Sequence, residues 1–535
     1  MPFMLWLREI TPYVIWMPAA LLLAGGCAVT NIYPLLYRTL EQGDCSGAAA
    51  LLENNRRQYG ANAELLYLLD GAMIYLQCGD NAAAQERLHA AEALAQDLWT
   101  ESISRNVAAM FTSDYSLKYG GEDYERVMIH VVSAIGYLRM GQLDEALVEV
   151  RRLDSLLDMY VAEYKDDQFY KIDAFARYLS GIIHEADSGY EDAFIDYYQA
   201  AQAYQDQAII YGIDLPEILA TDVLRTASMV GRSAEAQRLI AEQALASDPK
   251  IGSNADSGKV VLIVFAGEGP RKIQDTAVVP TARGPISIAF PRVVPGPALC
   301  GTGHLQLMGT NGQVEGQLAL VSDINSIAVK SLEGKKNRII AKAIARAAAK
   351  QMVIRGIAST QKNREKQEAA SVFLNVLNLL AVEKADIRSW RTLPGQILIA
   401  RVFVAPGTYT GRLRWCRHQT FDLGVVTVAK AKTRFLFLDT RYGNPGPLVE
   451  KKASLTPDWL MQDTSYPSED KISILTFSMV DQSGKSDGNC YYLNPYQGSY
   501  PHDQRVAAHA SHPGLYGNGL RRQSASKREI SGAGL

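Results

Sequence analysis

Five times in the first half of this chain a glycine is followed by a few polar residues and then by a run rich in small and apolar side chains. The phrases are GDCSGAAALL from Gly43, GDNAAAQERL from Gly79, GQLDEALVEV from Gly141, GYEDAFIDYY from Gly189 and GRSAEAQRLI from Gly231. Glycine at a helix C-terminus ends the helix in a left-handed conformation that other residues resist, and the polar turn starts the next helix. Between the phrases, apolar residues recur at helical spacing from Ile32 to about Ala246, which predicts a succession of antiparallel helical hairpins. One hairpin cannot bury its own apolar face, so hairpins of this kind stack.

The clearest copy, MIHVVSAIGYLRMGQLDEALVEVRRL at residues 128–153, resembles a tetratricopeptide repeat. The glycines are spaced 36, 62, 48 and 42 residues apart, whereas true tetratricopeptide arrays keep about 34. The expectation is a degenerate solenoid with longer helices, an irregular helical bundle being the alternative. Charge divides along the same line. Residues 28–250 carry 17 Lys and Arg against 35 Asp and Glu, and residues 251–535 carry 36 against 21.

Residues 247–259, SDPKIGSNADSGK, are polar and rich in Gly and Ser, and after them the periodicity turns from helical to alternating. KVVLIVFA, ISIAFPRVV and QVEGQLALV read as strands. Residues 324–386 then supply two or three helices, and strands return in GQILIARVFVAPGTYTGRLRW, read as a hairpin turning at 405–407, and in GVVTVAKAKTRFLFLDT. The fold class expected is multidomain. An all-α tetratricopeptide-like solenoid (27–250) precedes an α+β domain (258–443) with a helical insertion (324–386). Residues 444–535, rich in Gly, Ser, His and Arg, are expected to be a mostly disordered tail, with KISILTFSM as one late strand.

At the N-terminus an apolar run of about fifteen residues from Ile10 to Ala24 contains Pro12 and Pro18. It is shorter than the ~20 residues needed to cross a bilayer and suits a signal-peptide core. Ala24, Gly25 and Gly26 lead into Cys27, which resembles the bacterial lipoprotein signal, although Ala24 stands where Leu is usual. Residues 1–26 are therefore expected to be removed and Cys27 lipidated; a retained single span and a buried N-terminal helix are the alternatives. Ala28 rather than Asp follows the cysteine, which favours the outer membrane, facing the periplasm.

An oxidising compartment suits the other cysteines. Cys45 stands before one repeat helix and Cys78 after the next, and antiparallel geometry brings such ends together, so they are expected to pair. Cys300 and Cys416 form a second candidate pair, leaving Cys490 odd. A zinc set of Cys300, His304, Cys416 and His418 is the weaker alternative, since neither spacing is a common knuckle.

GEGP at 267–270, IAFP at 288–291, DINSIAVKSL from Asp323 and ADIRSWRTLPGQILIARVFVAPGT at 385–408 are similar to a family of bacterial envelope lipoproteins with no assigned reaction. With the lipoprotein signal and the helical half, the resemblance covers roughly residues 20–440. It implies an envelope-assembly role and no chemistry. Within its longest motif, Trp390 is a large anchor, and Arg401 interrupts the apolar ILIARVFV and must reach a partner. Asp386 is the nearest candidate by sequence. A salt bridge that fixes a helix-to-strand junction, and a ligand site built on Asp386, Arg388, Trp390 and Arg401, are both readings of this stretch.

RIIAKAIARAAAK sets Arg338, Lys342, Arg346 and Lys350 at successive i+4 steps, on one helical stripe, with Ile339, Ala343, Ile344 and Ala347 facing inward beside it. The stripe can be solvated, dock on the acidic half, or contact an anionic membrane or glycan surface. SVFLNVLNLLAV at 371–382 is apolar but too short to span a bilayer. FAGEGPRK lacks the Gly-Lys-Ser/Thr ending of a phosphate loop and reads as a turn. Of 27 tyrosines, 13 fall between Tyr115 and Tyr211. They suit repeat core, with Tyr137, Tyr178 and Tyr198 in packing phase, or a Tyr-and-carboxylate groove for a partner segment.

No catalytic motif is present, and no cofactor, metal or nucleic-acid partner is implied. The expected function is a non-enzymatic, lipid-anchored scaffold or adaptor in envelope assembly, its partner an envelope protein held by residues 28–250. The alternative is a peptidoglycan- or glycan-binding protein, or a remodelling enzyme, acting through the α+β domain. A third reading has the acidic and basic halves docked on one another.

Overall fold

The computed structural model describes residues 32–104, 115, 117–163, 173–242, 256–280, 285–297, 302–310, 312–359, 384–416 and 419–442. Cys27, Cys300, His418, Cys490, the segment 371–382 and residues 443–535 lie outside them, as do the side chains of 101–104, 242 and 350–359.

Helices α1 (Tyr33–Glu41), α2 (Cys45–Asn54) and the short α3 (Arg56–Tyr59) lead into four helical hairpins. These are α4 (Glu64–Gln77) with α5 (Asn81–Ser104), α6 (Asp123–Arg139) with α7 (Leu143–Glu163), α8 (Ala174–Ala186) with α9 (Tyr190–Tyr211), and α10 (Glu217–Met229) with α11 (Ser233–Glu242). The repeated glycines do what their sequence context implies at four turns. Gly43, Gly79, Gly141 and Gly231 have φ of +72°, +83°, +72° and +75°. The following N–H groups of Asp44, Asp80, Gln142 and Arg232 close back on carbonyls five residues earlier, at 2.8–3.1 Å. The fifth phrase is slipped by one residue. There Ser188 takes the left-handed conformation (φ +71°), Gly189 N–H makes the closing bond to His184 O at 2.8 Å, and Gly189 is the N-cap of α9 rather than the terminator of α8.

Cys45, the first residue of α2, and Cys78, the C-cap of α4, form a disulfide with Cα atoms 5.7 Å apart. Cys416 is also disulfide-bonded, which leaves no thiolate there for zinc.

The second half forms three sheets. Strands β1 (Gly258–Glu268), β6 (Ala319–Asp323), β7 (Pro394–Val404) and β10 (Thr433–Asp439) make a mixed sheet in the order β10-β1-β7-β6, with β1 parallel to β10 and antiparallel to β7. Strands β4 (Gly303–Gly309), β5 (Gly312–Gln317), β8 (Gly407–Trp415) and β9 (Gln419–Val428) make an antiparallel sheet, β5-β4-β8-β9. β2 (Arg271–Val279) and β3 (Ile286–Val294) pair as a hairpin. QVEGQLALV is thus two strands in different sheets, broken at Leu318. The expected hairpin at 405–407 is a corner instead: β7 stays in the first sheet while β8 crosses to the second, and Tyr409 OH donates to Ala405 O at 2.7 Å across the bend.

Strand alternation explains why KVVLIVFA is apolar without a break. Val260, Leu262 and Val264 point into a core shared with the second sheet, among Leu305, Leu307, Leu413 and Val426. Val261, Ile263 and Phe265 point the other way, into the core of the helical hairpins, as do Ile397 and Ile399 of β7. A strand buried on both faces has no polar side to show. The result is three layers, helices on sheet on sheet, with the mixed sheet in the middle and one apolar cluster running from α4 to β10. The described parts of the acidic and basic halves pack on one another.

The first part of the insertion is a single helix of 36 residues, α12 (Ile324–Ser359). It covers the β2–β3 hairpin, with Ala343 and Ala347 buried against Ile286 and Ile288. Among the described residues no helix is long and apolar enough to cross a membrane.

Candidate functional site

The long motif at 385–408 lies between the layers. Asp386 does not reach Arg401. It pairs with Arg388, accepting from Nε at 2.8 Å and Nη2 at 2.7 Å, while Arg388 Nη1 donates to the carbonyls of Asn62 (2.7 Å) and Leu117 (2.9 Å) in the helical layer. Trp390 is fully buried. Its N–H donates to Glu125 Oε1 of α6 at 2.7 Å and its indole N–H to Thr392 Oγ1 at 3.0 Å. Thr392 in turn donates to Asp70 of α4 at 2.7 Å, which also accepts from Tyr33 and Tyr59 at 2.8 Å each. Burial pushes the carboxyls of Asp70 and Glu125 up, and these donors work against it. The segment is a buckle that fastens the sheet to three helices.

Arg401 sits at the centre of a second set of cross-layer bonds. Nη1 donates to Asp222 (2.7 Å, α10) and to Tyr197 OH (2.9 Å, α9), and Nη2 donates to Glu185 (2.7 Å, α8). Arg225 bonds the same two carboxylates at 2.5 and 3.1 Å, Lys259 Nζ lies 2.8 Å from Glu185, and Tyr178 donates to Asp222 at 3.0 Å. Burial opposes ionisation of Glu185, yet Arg401, Arg225 and Lys259 together hold its carboxyl well below the usual range. Arg401, Glu185 and Asp222 have no solvent exposure at their side chains. A ligand has no approach to this cluster, so Arg401 serves architecture, while Asp386 and Arg388 stay partly exposed. Sequence proximity misled here because the partners come from helices 179 and 216 residues away.

The other resemblance segments meet at the start of α12, beside an open space of about 300 Å³ lined by Gly267, Asp323, Asn325 and Gln396. GEGP, the start of α12 and the start of β7 converge so closely that a Cβ on Gly395 would lie 2.5 Å from both Asn325 Nδ2 and Glu268 O. On α12, Arg338 is exposed and Lys342 half-buried, but Arg346 is only 6% exposed. The four cations are therefore not one solvent-facing stripe, and Lys350 lies outside the described side chains. Nearer the start of α12, Lys335 bridges Glu122 (3.2 Å) and Asp123 (2.8 Å), and Lys272 of β2 also bonds Glu122. The tyrosine-and-carboxylate set is spent internally as well: Tyr119 donates to Glu125, Tyr178 to Asp222, Tyr197 to Glu185, and Tyr204 to Val321 O.

Among the described residues a larger groove, of about 680 Å³, is formed by α5, α6 and α7 alone, with no residue from the sheets. At one end, His130 Nδ1 lies 3.0 Å from Glu149 Oε2, and Arg152 bridges Glu149 (2.9 Å) and Glu92 (3.0 Å). Glu92, His130 and Glu149 could in principle hold a cation, their ligand atoms lying within 4.8 Å of one another. Arg152 already occupies both carboxylates, so the set reads as a satisfied ion-pair network. At the other end is Arg126, 4% exposed, with its guanidinium 4.5 Å from the Trp99 ring centroid and 5.7 Å from that of Tyr160. One long bond from Nη2 to Gln96 Oε1 (3.4 Å) is its polar contact, and Nη1 has no partner. Ile129, Leu156 and Met159 line the space between. Ser155 Oγ donates to its own helix at Arg151 O, with no base beside it. These groups can bind but have no nucleophile–base pair.

The sequence reading passed over this groove. Its signal was Arg126 and His130 at i and i+4 in the largely apolar RVMIHVVSAIGYL of α6, two basic residues on one helical face.

No family and no curated protein matches the chain. Among solved structures it is similar to a Podosopora anserina kinesin light chain protein of nearly identical TPR-like repeats, at 16% identity over 40% of this chain and 91% of that one, TM-score 0.25. It is similar to MamA from AMB-1 at 14% identity over 40% and 91%, TM-score 0.23. A tetratricopeptide repeat protein from Parabacteroides merdae matches at 15% identity over 42% and 82%, TM-score 0.21. Each likeness falls on a fraction of the chain, and the repeat architecture rests on the turn and hairpin geometry above.

Proposed function

We propose that this protein is a non-enzymatic interaction scaffold, anchored in the outer membrane through a lipid on Cys27 and facing the periplasm, that holds a partner protein of the cell envelope in the α5–α7 groove. The observation that carries the reading is the contrast within the helical layer. Its acidic and tyrosine-rich surface is largely consumed by the sheet, and the α5–α7 groove remains open with polar groups at both ends. The Cys45–Cys78 disulfide and the disulfide at Cys416 support an oxidising compartment. The lipoprotein-like run into Cys27 supports the anchor.

A photo-crosslinking residue at Ser155, on the exposed lip of the groove, tests the scaffold in living cells. Recovery of one envelope protein by mass spectrometry is the expected result. Recovery of none, with the intact protein instead co-sedimenting with peptidoglycan, would move the function to glycan binding. Cys27→Ser tests the anchor separately: the variant should leave the membrane fraction.

A further inference from the structure

We infer that the open space beside the start of α12 is a sugar-binding subsite that takes one uncharged ring of a saccharide. It shares no residue with the α5–α7 groove and does not depend on the scaffold reading.

Segments far apart in sequence build this space: the ends of β1, β3 and α9, the junction of β6 with α12, and the start of β7. Asn325 ties them together. Its Oδ1 accepts from Gly296 N–H at 3.0 Å and its Nδ2 donates to Glu268 O at 3.3 Å. A Cβ on Gly296 would run into Glu268 O, as one on Gly395 would, so these walls meet backbone to backbone. The space is therefore pre-formed, held by its surroundings rather than shaped on binding, which lowers the cost of ordering a ligand there.

The polar side chains of the lining have bonding capacity to spare. Asp323 Oδ1 caps α12 at Ser326 N–H (3.0 Å), whereas Oδ2 takes only a long bond from Gln396 Nε2 (3.3 Å). Among the described residues, Gln396 Oε1 and Ser326 Oγ have no partner. Acceptors, amide donors and a hydroxyl thus line one space of about 300 Å³, the lower end of the range for small-molecule sites. Neighbouring hydroxyls on a sugar ring each donate and accept, and planar amide and carboxylate groups answer such pairs with both their atoms. Tyr211, Pro297 and Val329 add apolar surface for the C–H face of a ring. Charge disfavours the other small-ligand classes. Asp323 already occupies the end of α12 that an anion would need, and Lys330 is bonded to Glu333 at 3.0 Å. One carboxylate is too few for calcium or magnesium, which take about six oxygens or more.

The test uses the full chain purified in a detergent without a sugar headgroup, and saturation-transfer NMR with glucose, galactose, N-acetylglucosamine, the peptide-free disaccharide of peptidoglycan and the core oligosaccharide of lipopolysaccharide as probes. The expected result is transfer to the ring protons of at least one probe. Tightest binding by the disaccharide or by the core oligosaccharide assigns the source, and equal binding by a monosaccharide assigns a free sugar. Asp323→Asn keeps a good N-cap and replaces the spare acceptor by a donor; it should weaken the bound probe about tenfold or more at an unchanged melting temperature. Val329→Trp, which fills the space and leaves the cap in place, should abolish binding, covering the case in which the Asp323 variant disturbs α12. Transfer to none of the probes, transfer unchanged in both variants, or displacement of the sugar by equimolar inorganic phosphate or by random decapeptides would overturn the inference. Capture of a partner through Ser155 should be the same in Val329→Trp, so failure of the sugar subsite and failure of the scaffold are read separately.

Discussion

Arg401 and Arg126 are both arginines buried inside the same molecule, and they differ in what answers their charge. Arg401 lies between layers, with two carboxylates, a tyrosine hydroxyl and the Phe403 ring around it (centroid 5.2 Å), and no solvent exposure. Arg126 lies within one layer, beside open volume, with rings and one amide. Removing one member of a matched buried set leaves the others uncompensated, whereas removing an unmatched cation relieves a desolvation cost. Burial alone therefore does not mark function in this protein.

The largest effect is expected at the matched site. Arg401→Ala should destabilise by about 3–5 kcal/mol, read as the midpoint of urea unfolding; a loss under about 1 kcal/mol would mean that the cross-layer cluster is ornamental. Trp390→Ala, which empties a fully buried indole site and strips the buckle, should cost about 3–5 kcal/mol, and a double variant with Arg401→Ala that departs from the sum would show that the two cross-layer sets are coupled.

A pH effect is expected to be smaller and to come from the edge of the helical layer. Burial, opposed by Arg177 and assisted by Asp196, raises Asp154 to about 6, and the hydrogen bond to Asp196 raises His184 above its ordinary value. Both folded-state values exceed the unfolded ones. The His184 contribution is present below pH about 6.5 and lost as pH rises through the raised value, and the Asp154 penalty accumulates as pH rises from about 4 and is complete above about 6. Lowering pH from about 7.5 to 5.5 should then raise the melting temperature. Below about pH 4 the sign reverses, because the carboxyls of Glu122 and Glu185 are held low by lysine and arginine partners and their stabilisation disappears on protonation. Asn at 154 with Gln at 184 should flatten the first limb and leave the second.

Smaller again, Ser188→Gly should stabilise by about 0.5–1 kcal/mol, since it places glycine where the slipped fifth turn needs it. The sharpest contrast with Arg401 is the smallest number: Arg126→Met should change stability by less than about 1 kcal/mol in differential scanning calorimetry. A loss as large as that at Arg401 would make Arg126 a structural cation.

Local signals in this sequence were readable where they depend on neighbours. Glycine turns, helix periodicity, the strand at 258 and the Cys45–Cys78 pairing all follow from residues close in sequence or one hairpin apart. Signals that depend on which layer lies opposite were not. Arg401 advertised a need for a partner, but nothing in its surroundings named Glu185 and Asp222. The corner at 405–407 looks like a hairpin because a chain that changes sheet and a chain that reverses in one sheet use the same Ala-Pro-Gly. β2 and β4 escaped notice because their alternation is diluted by polar residues on exposed faces. The α5–α7 groove was illegible for a related reason. Its Arg126 is defined by the counter-charge it lacks, and a sequence does not list absences.

One contact orders these events in time. Tyr442, just past β10, stacks against Tyr37 of α1 with ring centroids 5.9 Å apart, and it shares a small core with Leu36, Leu40 and Leu52. Arg441 beside it donates to Thr392 O. The last described strand therefore returns to the first described helix, and the ring of contacts closes only when residue 442 has been synthesised. A nascent chain that has reached residue 380 lacks Ile397, Ile399 and Phe437 from the core beneath the helical hairpins, and Glu185 and Asp222 are without Arg401. Folding of these four hundred residues is thus a late event, gated by the end of β10, and a truncation there should fail as a whole rather than lose one part.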